Sequence, residues 1–358
     1  MFLNIQVLRG IAATLVVWVH TQDVIPLEFI PGKIREVGYG GVDLFFVISG
    51  FIMVFATSNR AVTPQSFLLK RFLRVAPLYY LVTLFVVMLC LVRPALFKST
   101  TIELETLYKS FLFIPFEKSH DRIYPIYPLG WTLNYEMFFY CLFSIAMFIE
   151  LPKRVFALAT VLLALSGIGL FISGIGDYGV IAYSYTRPVI LDFVLGTIIA
   201  ICLLRRDKMP VSFLKIFYPV LLLGCISFFF SGFVLHASQS PVTPTTDTLL
   251  RFGLPSALIV ASLVGLERLG HTVGNEFLRQ VGDASYSIYL THYFIVEGLS
   301  PLVIRTITGP TFLLLAALGT IAASVLFGML VYRLIERPLA GDFRYYSFLG
   351  RKLDLAKK

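Results

Sequence analysis

Ten stretches of mostly apolar residues recur along the chain. They lie near 3–21, 38–57, 75–96, 128–149, 154–173, 187–204, 213–235, 251–267, 284–304 and 311–335. A helix needs about 20 such residues to cross a hydrocarbon core. In lipid only helices and closed barrels satisfy their own backbone groups. The pattern therefore predicts an all-α fold, a polytopic transmembrane helical bundle of about ten spans. Composition agrees. The 358 residues are 57 % hydrophobic and 14 % charged, against about 45–50 % and about 25 % in soluble chains. Residues 1–340 are read as one membrane domain and 341–358 as a basic tail, with no room for a large soluble domain. The first stretch does not read as a cleavable signal. Arg9 lies inside it, no basic region precedes it, and no small-residue cleavage site follows.

Lysine and arginine set the orientation. With the N-terminus inside, the inner loops and tail hold 18 of them and the outer loops 10. Five of those ten share one loop, 93–127, that also carries acids. Both termini are therefore expected in the cytoplasm. The net charge of +9 comes from these short loops, which argues against nucleic-acid binding. Cys90, Cys141, Cys202 and Cys225 each fall inside an apolar stretch without CxxC spacing; they read as small hydrophobes. Within the long outer loop, Leu104, Leu107, Tyr108, Phe111 and Leu112 recur at helical spacing. A short amphipathic helix is expected near 101–114, with Thr100 and Glu103 as its capping box. It would lie in the outer interface or form a packed outer lid. Residues 236–250, with Pro241 and Pro244, read as an outer loop.

A charge at the bilayer centre costs about 2.5–3.5 kcal/mol on insertion scales, so chains keep one when it is paired, solvated or in use. This chain keeps Arg9, His20, Asp43, Glu136, Asp192, His292 and Glu297 in or near its spans. Arg9 and His20 are 11 residues apart, about three helical turns, so they share one face. They would be separated by about 16 Å along the axis at 1.5 Å per residue. That face must look into the bundle. Asp43, one turn into the second span, is expected at the depth of His20. A carboxylate there would fix the imidazole tautomer for general-base work; a structural ion pair is the alternative. Arg71 and Arg74, three apart before the third span, would suit a phosphate clamp. Glu136 is not explained by an interfacial aromatic belt, whereas Trp131 is. His292 lies within the ninth span with Tyr286 and Tyr289 on the preceding turns; a hydrogen-bonded core histidine is the plainer reading. No HxxxH, HExxH or paired-cysteine spacing points to a metal. No phosphate-binding glycine loop and no GxSxG elbow occurs.

The motifs then carry a resemblance. NIQVLRGIAATLVVWVH, with Arg9 and His20, resembles the first-helix signature of the acyltransferase-3 family of integral membrane acyltransferases. GGVDLFFVISGFIM, with Asp43, Ser49 and Gly50, is similar to its second. FLLKRFLRVAPLYYL resembles its basic third motif, with Lys70 where many members have arginine. WTLNYEMFFY, SYSIYLTH and ERP at 336–338 follow in the family's order. The wording looks closest to the subgroup that O-acetylates exopolysaccharides. The resemblance implies transfer of an acetyl or other acyl group from cytoplasmic acetyl-CoA to a sugar hydroxyl of an exopolysaccharide or other envelope glycan. It implies a bacterial inner membrane, and a glycan or lipid-linked sugar as acceptor. By the same resemblance His20 is the catalytic histidine, Asp43 its partner, and Arg9, Arg71 and Arg74 the donor site. Glu136, Trp131, Asn134, Tyr286, His292 and Glu336 are expected as substrate-binding or supporting residues. Asn134, Tyr286 and Ser49 are candidate oxyanion donors. A transporter or flippase for a lipid-linked sugar is the alternative reading; it would carry repeats and broken helices, and no repeat is seen.

Overall fold

The first helix, α1 (Leu3–Gln22), begins where a carboxylate from elsewhere meets its unpaired N–H groups. The amides of Leu3 and Asn4 both donate to Glu267 at 2.7 Å, a favourable site for a negative charge. The Asn4 side chain adds bonds to the carbonyls of Leu263 and His271 and accepts from the Val273 amide. The computed structural model that shows this describes residues 2–58, 62–94, 102–119, 122–204, 211–231, 248–306 and 308–339. The tail 341–358, most of the loop expected at 236–250, and Thr100 lie outside them.

The chain continues through α2 (Gly32–Glu36), α3 (Gly40–Ser58), α4 (Pro64–Val92), α5 (Leu104–Phe111), α6 (Trp131–Ala146), α7 (Lys153–Ile168), α8 (Ile175–Tyr185) and α9 (Leu191–Leu204). Then follow α10 (Val211–Ser231), α11 (Leu254–Arg268), α12 (Glu276–Asp283), α13 (Ser285–Thr306) and α14 (Pro310–Val331). The strands described are a pair, Glu117–Ser119 and Arg122–Ile123, antiparallel between α5 and α6. Every one of the ten apolar stretches carries a helix. Among the described residues, seven helical stretches are long and apolar enough to cross a membrane by length and composition. The 16-residue α6 spans only about 24 Å at 1.5 Å per residue.

Two of the expected boundaries move. The third span was expected from residue 75, after its basic residues; instead α4 starts at Pro64. Thr63 caps it, accepting from the Ser66 amide at 3.2 Å, and Pro64 suits the first turn. Lys70, Arg71 and Arg74 are therefore carried on the helix. Hydropathy missed these turns because their polar side chains lower the average. The cap of α5 also differs. Glu103, not Thr100, is its N-cap, and the box is closed by Thr106, whose hydroxyl accepts from the Glu103 amide at 3.1 Å. This helix is tied to its neighbours at its C-terminal end. Tyr80 of α4 donates to the Phe111 carbonyl at 2.6 Å, and Ser110 accepts from the Ile126 amide at 3.0 Å. Leu104 and Leu112 stay exposed.

Helix α1 packs against α3, α11, α12, α13 and α14, and α3 against α9. The α3–α9 crossing is close enough to exclude side chains. A Cβ on Gly50 would run into the Phe193 carbonyl, and one on Gly196 into that of Val47. Membrane helices use small residues in this way because packing, rather than the hydrophobic effect, holds them together. Large apolar side chains cover the outside: Leu84, Phe85, Met88 and Leu91 on α4, Phe156 and Leu163 on α7, Leu315 and Leu326 on α14.

Candidate active site

The α1 face that carries Arg9 and His20 looks into the bundle, as its spacing requires, and meets α13 at both ends. At the N-terminal end of α1 is a cavity of about 120 Å³. Its polar wall comes from four helices: Arg9 of α1, Ser49 of α3, Arg71 and Arg74 of α4, and Glu136 and Tyr140 of α6. Tyr286 and Tyr289 of α13 close it. The three-residue spacing of Arg71 and Arg74 puts both on its wall. Glu136 accepts from the Tyr140 hydroxyl one turn later and lies 3.5 Å from the Ser49 hydroxyl. Arg74 is 3.6 Å from Glu336, whose other oxygen accepts from Ser287 at 2.5 Å. Among the described residues Arg9 hydrogen-bonds only Gln6, at 3.5 Å, and Gln6 is held by Asp283. Arg71 lies 5.7 Å from the centre of the Phe67 ring and has no hydrogen bond or ion pair among the described residues. Three guanidinium groups thus face two carboxylates. The wall has donors and charge left for an anion.

At the other end of α1 the His20 Nδ1 lies 3.1 Å from Asp23. The carboxylate accepts, so Nδ1 carries the hydrogen and Nε2 presents its lone pair. The His20 side chain is 20 % exposed, so that lone pair is within reach of a solute. The His292 ring is centred 5.3 Å away and the Tyr293 ring 5.5 Å away, edge-on. Between the two ends stands Tyr289. It lines the cavity, its ring is 6.2 Å from that of His292, and its hydroxyl is fixed by Thr132 and the Leu129 carbonyl.

Several expected groupings are not formed. Asp43 does not reach His20. It is buried against Asp192 in the first turn of α9. Asp43, Val47 and Gly50 lie on one helical stripe, and that stripe is the face pressed onto α9. The position beside His20 belongs to Asp23, the residue that ends α1. Trp131 and Asn134 are also away from the arginines. They line a small separate recess with Pro115, Ile123 and Tyr185, because residues two apart on α6, such as Asn134 and Glu136, point to different sides. Tyr286 lines the cavity, but its hydroxyl hydrogen is taken by the Val75 carbonyl at 2.6 Å. Of the three candidate oxyanion donors, Ser49 and Tyr286 face the cavity and Asn134 does not. The groups that sequence reasoning missed are Asp23 and Tyr140; Tyr289 was seen only as a neighbour of His292 along its helix. Asp23 and Tyr140 carried a signal, lying three and four residues from His20 and Glu136. Among the described residues no cluster of three or more His, Cys, Asp or Glu converges on a metal position.

Comparison with known proteins gives the family. A family described as acyltransferase domain matches residues 2–329. The exopolysaccharide production protein ExoZ of Rhizobium meliloti (strain 1021) is 34 % identical over 304 residues, 85 % of this chain and 90 % of that protein. Protein 2 in the picA locus of Rhizobium radiobacter is 36 % identical over 84 residues, 22 % of this chain and 41 % of that protein. No solved structure matches. The match over nearly the whole length, on a bundle of apolar helices with charged groups gathered inside it, means that the chain belongs to the acyltransferase-3 family and is an integral membrane acyltransferase.

Proposed function

We propose that this acyltransferase moves an acetyl group from cytoplasmic acetyl-CoA to a sugar hydroxyl of an exopolysaccharide or its lipid-linked precursor. One observation carries the reading. The same face of α1 presents an arginine-rich cavity at one end and a solvent-accessible histidine–carboxylate pair at the other. The donor is anionic and long, which suits both features. Its phosphates would dock on Arg71, Arg74 and Arg9. Its pantetheine arm would run along α1 past Tyr289, over the roughly 16 Å that eleven helical residues span. The excess of lysine and arginine at the arginine end supports a cytoplasmic placing of both termini in a bacterial inner membrane. The likeness to a relative named for exopolysaccharide production supports the acceptor class.

In this reading the sugar enters at the His20 end. His20 Nε2 takes the hydroxyl proton while Asp23 holds Nδ1–H and steadies the imidazolium. The alkoxide attacks the thioester carbon, the carbon–sulfur bond breaks, and the proton passes from His20 to the leaving sulfur. The products are the acetyl ester and coenzyme A, and His20 is restored.

The test is mass spectrometry of extracellular polysaccharide from cells carrying the protein, a deletion, or His20→Ala at equal membrane abundance. Loss of one acetyl group per modified repeat is expected in both altered strains, with acetyl-CoA dependence in isolated membranes. A fully acetylated polysaccharide from the deletion strain would sink the assignment.

A further inference from the structure

The outer end holds one buried group that this chemistry leaves unused. His292 is 0 % exposed on α13. Its Nδ1 lies 3.1 Å from the Ile288 carbonyl. A carbonyl only accepts, so Nδ1 carries the hydrogen. The other nitrogen, Nε2, is buried and has no hydrogen-bond partner. A proton there would leave a buried cation with an unpaired N–H beside a second imidazole, which is costly. Nε2 therefore keeps a bare lone pair, the negative end of a neutral imidazole.

Buried polar atoms are nearly always paired, and an exception calls for a reason. The rings around His292 are those of His20, Tyr289 and Tyr293, with centres at 5.3, 6.2 and 6.4 Å. The Tyr289 hydroxyl is committed to the Leu129 carbonyl and Thr132, and that of Tyr293 to Glu297. The uncommitted nitrogen is Nε2 of His20, which becomes a donor only when it takes up a proton.

We infer that His292 is a positioning residue for His20, its bare Nε2 stabilising the His20 imidazolium that forms as the acceptor hydroxyl gives up its proton. The inference rests on the acetyl-transfer reading with His20 as the base. In the resting protein the Nε2 lone pair has nothing to accept. In the transition state the neighbouring ring, centred 5.3 Å away, carries a positive charge. Help that appears only then raises kcat and leaves donor binding alone.

Two substitutions separate this from a packing role. In His292→Asn the amide nitrogen falls near Nδ1, so the bond to Ile288 is kept and nothing stands at Nε2. In His292→Gln the amide oxygen reaches the Nε2 position and the Ile288 bond is lost. With the full-length protein in detergent, kcat of the Asn variant is expected to fall about 10- to 100-fold, the size of one lost bond to a charged group. The KM for acetyl-CoA should not change, and the Gln variant should recover most of the loss. Wild-type turnover in the Asn variant, equal losses in both, or a change confined to KM would overturn the inference. A second measurement does not depend on these variants folding. In a chain with His120, His236 and His271 replaced by Gln, ¹⁵N spectra of labelled histidine should show His292 neutral and protonated at Nδ1. An Nε2–H tautomer or a charged ring overturns the inference. If His20→Ala itself stays fully active, the acetyl-transfer reading fails; if that variant is dead and His292→Asn is unaffected, only the role of His292 fails.

Discussion

The two ends of the α1 face treat charge in opposite ways. At the arginine end the charged groups come from several helices and are only partly balanced. Arg9, Arg71 and Arg74 face Glu136 and Glu336; Tyr140 and Ser49 donate to one oxygen of Glu136, and Ser287 to one oxygen of Glu336. At the histidine end one carboxylate, Asp23, meets one imidazole, and both are open to solvent in part. The difference follows from what each end would do. A site for a standing anion must hold its cations in place before the ligand arrives, which requires compensating carboxylates inside the bundle. A site for a base must let its charge change during reaction, which a dense network would resist. The α3–α9 contact is a third case, with Asp43 and Asp192 buried against each other away from both ends.

The comparison can be broken at either end, and the largest expected effect is at His20. In His20→Ala, kcat should fall about 10²- to 10⁴-fold with acetyl-CoA binding intact by calorimetry. Weakened donor binding would mean that the two ends are one site. Next come the arginines. Arg71→Ala should raise the Kd for coenzyme A about 10- to 100-fold, the range for one bond to a charged group, with little change in melting temperature, because Arg71 makes no hydrogen bond or ion pair among the described residues. Arg74→Ala should weaken binding similarly and also lower the melting temperature, since it strands Glu336. A smaller effect separates the two aspartates. Asp23→Asn should reduce kcat about tenfold, the low end for one bond to a charged group, whereas Asp43→Asn should leave kcat within about twofold in protein of equal melting temperature. Equal losses would restore Asp43 to the reaction. The smallest effect concerns the anchor of α1. Glu267→Ala removes both acceptors at the helix start and should cost about 1 kcal/mol in denaturant unfolding, without changing kcat.

Much of the site was legible along the chain because a helix fixes its own faces. The 11-residue interval of Arg9 and His20 put both toward one neighbour, and the interval of Arg71 and Arg74 put both on one wall. Glu136 stood out because an aromatic belt does not explain a carboxylate in a span. What was not legible lay between helices. Depth and the family resemblance both pair Asp43 with His20, yet depth leaves rotation free. The stripe of Asp43, Val47 and Gly50 was present in the sequence, and only contact with Gly196 and Phe193 shows that it points to α9. Trp131 and Asn134 shared a motif with Glu136 but not its face.

The sequence by itself determined a helical membrane bundle, the faces of single helices, and the gathering of charge inside the spans. These follow from the 3.6-residue period and from the cost of exposing polar groups to lipid, and both act locally. Only the tertiary structure decided which carboxylate stands beside His20, that Glu136 and Glu336 lie with the arginines together, and that His292 stands beside His20 with a nitrogen to spare. Such choices depend on how each helix is rotated and crossed against its neighbours. Rotation is set by packing at places such as Gly50 and Gly196, which no single helix encodes.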